Sequence, residues 1–482
     1  MSNEIRNLEP KALWNNFADL NAVPRPSKKE DKVRQFMVDF GNKLGLDTQV
    51  DPIGNVIIKK PATKGMENRK PIVMQSHLDM VCQKNNDTVF DFDTQGIKML
   101  IDGDWVKADG TTLGADNGIG VASIMSILES SNIEHPQIDA LFTIDEETGM
   151  TGAIGLQAGY LDGEILLNLD TEDDDELGVG CAGGIDITAT KNYTLVDVPK
   201  KYKAFKITVK GLRGGHSGMD IHKEFGNANK MMNRILFALK DVALISNIDG
   251  GSLRNAIPRE SNAIIICENE DEMGEIYNTI SNDIKVEYAT IEKDLEILIA
   301  NTPKPEFSMN TADQEYLLKA IYTAHNGVFR MSPDIKDLVE TSNNVARVIV
   351  KDGAIKIGCL TRSSIESGKM DLAYNIKSGF ELAKFDVELS GSYPGWKPNP
   401  NSAILEVMEG LYETVFKTKP NVMACHAGLE CGILGTNYPK MDMISFGPNI
   451  RGAHSPDERV SISSTQKYWK YLLEVLKNIP VK

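Results

Sequence analysis

The stretch 71–80, PIVMQSHLDM, is an apolar run that gives way to His77 and Asp79 at its end. Similar short apolar runs, each predicted to be a strand, occur at 55–60 (NVIIKK), 138–145 (IDALFTID) and 164–170 (EILLNLD). Between them, 118–130 (GIGVASIMSILES) has the length and composition of a helix. This alternation predicts an α/β domain with a central, mostly parallel sheet flanked by helices. Ligands of open α/β sheets bind where strands end, which is where these runs become polar.

Two amphipathic helices are predicted before the first of these strands. Leu13, Phe17 and Leu20 recur at helical spacing in the first one. The second is predicted to start at Ser27, because Ser27 and Glu30 have the spacing of a capping box.

The sequence changes character after about residue 187. Polar and apolar residues then alternate, as in half-solvated antiparallel strands, and helical patterns separate these stretches. A chain of 482 residues is also longer than one hydrophobic core usually supports. We therefore expect a discontinuous α/β domain at 1–187 and 396–482, and an inserted α+β domain at 188–395.

The composition argues against several classes of partner. The formal net charge is −16, whereas nucleic acids and anionic membranes are bound through basic patches. No apolar run approaches the roughly 20 residues of a membrane-spanning helix, and the N-terminal MSNEIRNLEPK does not resemble a secretion signal. The six cysteines form no CxxC pair, which favours reduced thiols. We expect a cytoplasmic protein that binds neither nucleic acid nor membrane.

Residue types that ligate metals recur beside the predicted strands and glycine-rich turns. The candidates are two imidazoles and three carboxylates: His77, Asp116 (LGADNG), Glu147 (TIDEETG), Asp170 (LLNLDTE) and His454 (RGAHSPDE). Such a set suits two zinc-like ions that share one carboxylate. Paired metals of this kind activate water for hydrolysis.

Each of these motifs also has a structural explanation when taken alone. His77 and Asp79 could be an ordinary surface HxD, and Asp116 could cap a helix. Glu147 could belong to a solvated acidic turn, and a lone histidine such as His454 is more often structural. Five independent coincidences are a poor explanation for the whole set of motifs.

The ordered set SHLDMV, LGADNG, DEETG, NLDTE and AHSPDE resembles the motifs of the aminoacylase, carboxypeptidase G and carnosinase family of dinuclear zinc peptidases. Within that family the sequence is most similar to the bacterial Xaa-His (aminoacyl-histidine) dipeptidases, which share the motifs RGGHSGMDI and CHAGLECG. The resemblance implies a catalytic metallopeptidase domain and an inserted lid that also forms a homodimer. Some relatives are instead monomers with an enlarged lid.

The resemblance also implies roles for individual residues. His77, Asp116 and Asp170 would hold one zinc ion, and Asp116, Glu147 and His454 the other, with cobalt or manganese as possible substitutes. Glu146 would be the general base and acid. Asp79 would orient the ligand His77, as carboxylates often do for metal-bound histidines.

Three further residues are candidates for binding the substrate. His216, in RGGHSG, matches the family's histidine that polarises the scissile carbonyl. Arg362 offers a bidentate fork for a carboxylate, and Glu430 could bind the free amine. Asn255 and Asn344 are weaker candidates, for which structural roles in turns are at least as good an explanation.

The function that follows is hydrolysis of dipeptides, with Xaa-His dipeptides such as β-alanyl-histidine as the expected substrates. Two alternatives remain open on the same scaffold, an N-acyl amino acid deacylase and a tripeptidase. A third is a non-catalytic metal-binding module, which would be expected to lose the base or a ligand.

Overall fold

The computed structural model describes residues 4–85, 87–399 and 401–482. These residues divide into two compact units. The first contains the chain up to Gly180 together with Pro398–Ala424 and Leu429–Lys482, and the second contains Cys181–Lys397 and Cys425–Gly428. The second unit includes a four-residue segment, Cys425–Gly428, that the sequence pattern did not single out.

The helices occur along the whole chain. Their bounds are α1 Lys11–Asn21, α2 Asp31–Lys43, α3 Ala115–Glu129, α4 Glu146–Gly149, α5 Thr151–Gly155, α6 Ala228–Ala238, α7 Glu270–Tyr288, α8 Thr311–Thr323, α9 Glu366–Leu382, α10 Ala403–Phe416, α11 Glu430–Asn437 and α12 Ile462–Lys477. Short 3₁₀ turns lie at Ile5–Asn7 and Ile221–Lys223.

The strands build the sheets of both units. Their bounds are β1 Asp47–Val50, β2 Val56–Lys60, β3 Ile72–His77, β4 Met99–Asp102, β5 Trp105–Ala108, β6 Ile138–Thr143, β7 Ile165–Asn168, β8 Glu176–Cys181, β9 Gly183–Asn192, β10 Leu195–Asp197, β11 Lys203–Lys210, β12 Ala243–Gly251, β13 Ser261–Cys267, β14 Glu296–Asn301, β15 Phe307–Met309, β16 Gly327–Met331, β17 Val339–Lys351, β18 Ala354–Ser363, β19 Asp386–Tyr393, β20 Asn421–Cys425, β21 Asp442–Ser445, β22 Ile450–Arg451 and β23 Arg459–Ser461.

The first unit is built on an eight-stranded sheet with the order β1-β2-β6-β3-β7-β21-β8-β20. Its central strands β6, β3, β7 and β21 are parallel, whereas β1, β2 and β8 pair with their neighbours in antiparallel fashion. Every residue of β3, β6 and β7 is buried, as expected for strands that are covered on both faces. The carboxyl ends of these parallel strands therefore meet at one edge, which carries the polar residues predicted above.

A small antiparallel sheet, with the order β22-β23-β5-β4, brings two distant parts of the first unit together. Arg459 of β23 pairs with Lys107 of β5. The turn before β23 carries His454, and the loop after β5 leads to Asp116. This pairing explains how residues from the two ends of the chain reach one place.

The second unit contains a nine-stranded sheet with the order β14-β11-β13-β12-β17-β18-β9-β19, and β16 extends β17. Its strands pair in antiparallel fashion, and its buried core includes residues of α6, α7, α8 and α9. The fold class predicted from the sequence, an α/β sheet with an additional α+β part, is confirmed. In the part of the chain that the structure describes, no helix has the length and apolar character needed to cross a membrane.

The predicted capping box at Ser27 and Glu30 is wrong. Helix α2 begins at Asp31, and Glu30 precedes it without a capping side-chain bond. Ser27 Oγ instead donates to Asp79 Oδ2 at 2.8 Å, and Glu30 Oε1 accepts from the amide of Asp145 at 2.9 Å. Both side chains are thus engaged in tertiary contacts next to the predicted site, where local helix signals do not apply.

Candidate metal centre

The first cluster of predicted ligands lies where β3 and β7 end. His77 is the last residue of β3, and its side chain is buried. Its Nε2 lies 3.2 Å from Asp116 Oδ1 and 3.6 Å from Asp170 Oδ1. The ligand atoms around a tetrahedral zinc ion, with bonds of about 2.0–2.2 Å, lie about 3.4 Å apart. The three side chains are therefore spaced as one cation would require.

The second cluster shares Asp116 with the first. His454 Nε2 lies 3.4 Å from Asp116 Oδ2 and 2.9 Å from Glu147 Oε2. The two oxygens of Asp116 therefore face different histidines, His77 on one side and His454 on the other. Asp116, Glu147 and His454 form a second group whose ligand atoms lie within 4.8 Å of one another. One carboxylate thus stands between two groups that could each hold a cation.

The backbone around the two ligand turns has an unusual conformation. His454 has a φ of 65° and Asp145 has a φ of 54°, both in the left-handed region. Histidine and aspartate tolerate this region better than most residues. The side chain of Asp145 accepts from the hydroxyls of Thr148 and Thr151, which fixes the turn before Glu146.

Asp79 connects the HxD motif to the two adjacent glutamates. His77 Nδ1 lies 3.1 Å from the Asp79 carbonyl oxygen and 3.4 Å from Asp79 Oδ1. The Asp79 carboxylate also accepts from the amides of Glu146, at 3.0 Å, and Glu147, at 3.2 Å. The glutamates begin the one-turn helix α4 rather than continuing the strand, so their side chains diverge and only Glu147 contacts His454.

The site concentrates negative charge in a buried place. Burial raises the pKa values of Glu146 and Asp170 well above their usual range; the nearby His77 acts in the opposite direction. Hydrogen bonds that His454 donates to Asp116 and to Glu147 raise its pKa to about 11. For Asp116 burial acts to raise the pKa, but hydrogen bonds from His454 and His77 outweigh it and lower the pKa. The electrostatics of the site therefore favour bound positive charge.

A second observation also indicates that these residues suit divalent cations. Glu147 Oε1 is buried and has no hydrogen-bond partner among the described residues. A buried carboxylate oxygen is costly unless a proton donor or a cation compensates it. Neutral imidazole and carboxylate oxygens are also the donors that zinc, cobalt and manganese accept. His77, Asp116 and Asp170 could hold one ion, and Asp116, Glu147 and His454 the other.

His216 lies in the second unit and is half-buried. Its Nδ1 accepts from the amides of Gly218, at 3.2 Å, and Met219, at 3.0 Å. A neutral imidazole that accepts at Nδ1 carries its proton on Nε2. The surrounding loop thus fixes His216 as an Nε2–H donor.

Arg362 also lies in the second unit, on β18. Its guanidinium is buried and donates to the hydroxyl of Tyr393 at 2.9 Å and to Ser217 Oγ at 3.4 Å. Both partners are neutral, and Asp186 pairs with Arg254 instead. Buried arginines are usually paired with an anion, so Arg362 has the capacity to bind one.

Glu430 begins α11 in the first unit and is fully buried. Its Oε2 accepts from Gln75 Nε2 and from Thr143 Oγ1, both at 2.6 Å. Its Oε1 has no partner among the described residues, and burial raises its pKa to about 7. Glu430 is therefore held against β3 and β6, the strands that lead to His77 and Glu147.

The two asparagines make structural contacts in the second unit. Asn344 Nδ2 donates to the carbonyl oxygens of Arg254 and Ala256, at 3.1 and 2.8 Å. The carbonyl oxygen of Asn255 accepts from the amide of Ser217 at 2.8 Å. Together these contacts support the loop that carries His216.

Sequence reasoning missed several residues around these sites. Arg25 and Glu458 are buried and bind the backbone of the loops that carry ligands, and His426 is buried beside Ser342 in the second unit. The motif AHSPDE contains both His454 and Glu458, and it was the sequence signal that could have identified Glu458. No local pattern marks Arg25, because apart from Asn21 its partners are backbone groups far away in the sequence.

Comparison with known proteins shows the family of this chain. The model of Peptidase family M20/M25/M40 matches residues 73–478. The cytosol non-specific dipeptidase of Escherichia coli is 44% identical over 99% of this chain and 100% of that protein. The crystal structure of aminoacylhistidine dipeptidase from Vibrio alginolyticus is 45% identical, covers 100% of both chains and has a TM-score of 0.92.

A more distant structure shares the fold. Aminopeptidase PepT from Bacillus cereus is 16% identical, covers 98% of this chain and 99% of its own, and has a TM-score of 0.58. The resemblance that the sequence motifs indicated is confirmed by the full-length relatives. This chain belongs to the peptidase family M20/M25/M40.

Proposed function

We propose that this protein hydrolyses dipeptides by using a water molecule activated at two divalent cations. The observation that carries the proposal is the position of Asp116, whose two oxygens face His77 and His454 at 3.2 and 3.4 Å. A carboxylate placed between two ligand groups is what a pair of cations requires.

Two bound cations would act as Lewis acids and lower the pKa of water to about 7. We propose zinc as the native metal, with cobalt or manganese as functional substitutes.

The protein's own residues provide the proton transfers. Glu146 lies beside the ligand groups but is not the carboxylate that contacts His454. It would accept a proton from the attacking water and deliver it to the leaving amine. Its raised pKa, caused mainly by burial, suits a group that must hold this proton at neutral pH. Asp79 would keep Glu146 in place through the backbone amide that it accepts from.

Three further residues would recognise the peptide. His216, held as an Nε2–H donor, would polarise the scissile carbonyl and stabilise the oxyanion. Arg362, whose partners are neutral hydroxyls, would bind the C-terminal carboxylate. Glu430 is the candidate for the free amine, since an ammonium group would satisfy its unpartnered Oε1.

For the substrate we propose Xaa-His dipeptides. The name of the Vibrio alginolyticus relative supports this preference. The name of the Escherichia coli relative favours a second candidate, a dipeptidase without a strong preference for the C-terminal residue. The two relatives are almost equally similar to this chain, so the range of substrates has to be measured.

We also propose a cytoplasmic location and a homodimer that forms through the second unit. The name of the Escherichia coli relative supports the location. Exposed apolar side chains of the second unit, among them Leu382 and Val286, support the dimer. Sedimentation of the purified protein tests the oligomeric state.

The decisive experiment combines metal analysis with a panel of substrates. The panel contains Xaa-His dipeptides, other dipeptides, tripeptides and N-acyl amino acids. We expect about two divalent ions per chain and hydrolysis of dipeptides that is lost on chelation and restored by zinc. Turnover of N-acyl amino acids without release of histidine from any dipeptide would overturn the proposal in favour of a deacylase.

A further inference from the structure

We propose that Glu458 is a positioning residue that sets the loop of Asp116 against the turn of His454. This inference rests on the proposed pair of cations and adds a residue that would not itself bind them. Its role would be to hold the shared carboxylate between the two ligand groups before any ion arrives.

The carboxylate of Glu458 accepts four successive backbone amides. Oε2 accepts from Leu113 and Gly114, at 2.7 and 2.8 Å, and Oε1 accepts from Ala115 and Asp116, at 2.7 and 3.2 Å. The side chain is 2% exposed. Both oxygens are needed for these contacts, and a carboxylate is the side chain that supplies two acceptors.

These contacts connect two distant segments of the chain, because Glu458 lies close to His454 in the sequence. It lies four residues after His454 and directly before β23, and its partner Ala115 is 343 residues away. The pairing of β23 with β5 brings the two segments side by side, and Glu458 then fixes the Asp116 loop in detail. One side chain thus determines the spacing between two ligands from opposite ends of the chain.

A buried cation holds the same loop through its carbonyl groups. Arg25 Nη2 donates to the Gly114 carbonyl oxygen at 2.6 Å, and Nη1 donates to those of Leu78 and Asp79, at 3.1 and 3.2 Å. Arg25 therefore ties the loop of Asp116 to the strand end that carries His77. Arg25 and Glu458 carry opposite charges. Arg25 binds a carbonyl oxygen of the loop, and Glu458 binds the loop's amides.

The conformation of the loop requires such external partners. Asp116 has a φ of −82° and a ψ of 109°, which interrupts helix α3 at its start. Amides outside a regular helix need other acceptors when they are buried. Glu458→Gln would replace one acceptor oxygen with an NH₂ donor that faces backbone donors. The loop would have to shift, and the shift would move Asp116.

The test measures metal affinity in addition to hydrolysis. Zinc affinity is determined by competition with a chromophoric chelator, and the Co²⁺ absorption spectrum reports ligand geometry. We expect Glu458→Gln to weaken binding about 10- to 100-fold, as loss of residues that orient metal ligands usually does. We also expect an altered Co²⁺ spectrum. Glu458→Asp, which keeps both oxygens, should recover part of the affinity.

The matched control is Asp139→Asn. Asp139 is also buried, and its Oδ2 accepts from the amides of Asp162 and Gly163, but it lies near the start of β6, at the opposite end from Glu146. This control should lower the melting temperature of the metal-free protein while leaving metal affinity and the Co²⁺ spectrum unchanged.

The outcomes separate this inference from the proposed function. A wild-type protein that binds no cation would overturn the proposed function. A wild-type protein that binds two ions, with a Glu458→Gln variant that binds them with the same affinity, would overturn only the role of Glu458. If Glu458→Gln fails to fold, Arg25→Lys is tested in its place. Lysine keeps the positive charge but lacks the planar guanidinium that reaches several carbonyl oxygens. Unchanged zinc affinity in that variant would count equally against the inference.

Discussion

His454 in the first unit and His426 in the second are the same kind of side chain in opposite environments. Hydrogen bonds that His454 donates to Asp116 and Glu147 raise its pKa to about 11. Burial, and then the charge of Arg362, lower the pKa of His426 to about 3. The first environment favours positive charge and the second opposes it.

The difference between these two regions indicates two kinds of chemistry. The first region gathers carboxylates at the ends of parallel strands, where cations would be held. The second region presents His216 and Arg362 on and beside an antiparallel sheet, where developing or permanent negative charge would be bound. Substitutions in each region should therefore affect different measured quantities.

The largest effect is expected from Glu146→Gln in the first region. This change removes the proton acceptor but no predicted ligand, so kcat should fall by about 100- to 10,000-fold while the metal content stays constant. The adjacent Glu147→Gln is the control, and it should lower metal affinity as well. Measurement of kcat and bound metal distinguishes the two glutamates. Near-normal activity of Glu146→Gln would remove that residue from the role of base.

The next largest effect is expected from His216→Asn in the second region. Asparagine Oδ1 can replace Nδ1 as acceptor for the loop amides, but the Nε2–H donor is lost. We expect kcat to fall by about 100- to 1000-fold with metal content unchanged. His222→Asn, at an exposed position six residues further on, should leave kcat unchanged. An equal loss in both variants would show that the effect is not specific to His216.

A smaller effect on binding is expected from Arg362→Ala. Hydrogen bonds to charged groups contribute about 1.5–3 kcal/mol, so KM for a dipeptide should rise by about 10- to 100-fold. Discrimination against the corresponding dipeptide amide should also disappear. Arg347→Ala is the control, because Arg347 is already paired with Asp249. If the variant still distinguishes the amide from the acid, the substrate carboxylate binds elsewhere.

The smallest effect concerns the stability of the second region as pH falls. His426 has a lowered pKa in the folded protein, whereas an unfolded histidine titrates near about 6.5. Below that pH the unfolded state takes up a proton that the folded state does not, so stability decreases as pH falls from about 6.5 towards about 3.

A comparison with His426→Gln isolates this contribution. Between about pH 6.5 and about pH 5 the wild type should lose about 2 kcal/mol more than the variant, at about 1.4 kcal/mol per pH unit. Urea unfolding at a series of pH values measures the difference. Parallel curves for the two proteins would mean that His426 accepts a proton without loss of the fold.

The sequence was sufficient for the elements that depend on local patterns. Apolar runs predicted β2, β3, β6 and β7, because strands buried on both faces have few polar residues. The order of the ligand motifs indicated the family, which the full-length relatives confirm. Ligand residues next to strand ends are recognisable because parallel strands bring their ends to one edge.

Other features were decided only in three dimensions. Ser27 has the spacing of a helix cap, yet its hydroxyl binds Asp79 from a different segment. Local propensity is weak, and one part-buried hydrogen bond to a charged group outweighs it.

The sequence by itself determined which residue types stand at the ends of the strands, because burial imposes a pattern that repeats along the chain. The tertiary structure alone decided that Asp116 faces both His77 and His454, and that Glu458 and Arg25 hold its loop. These contacts join side chains to side chains or to backbone groups dozens to hundreds of residues away. Such bonds impose no periodicity on the sequence, so only the folded chain reveals them.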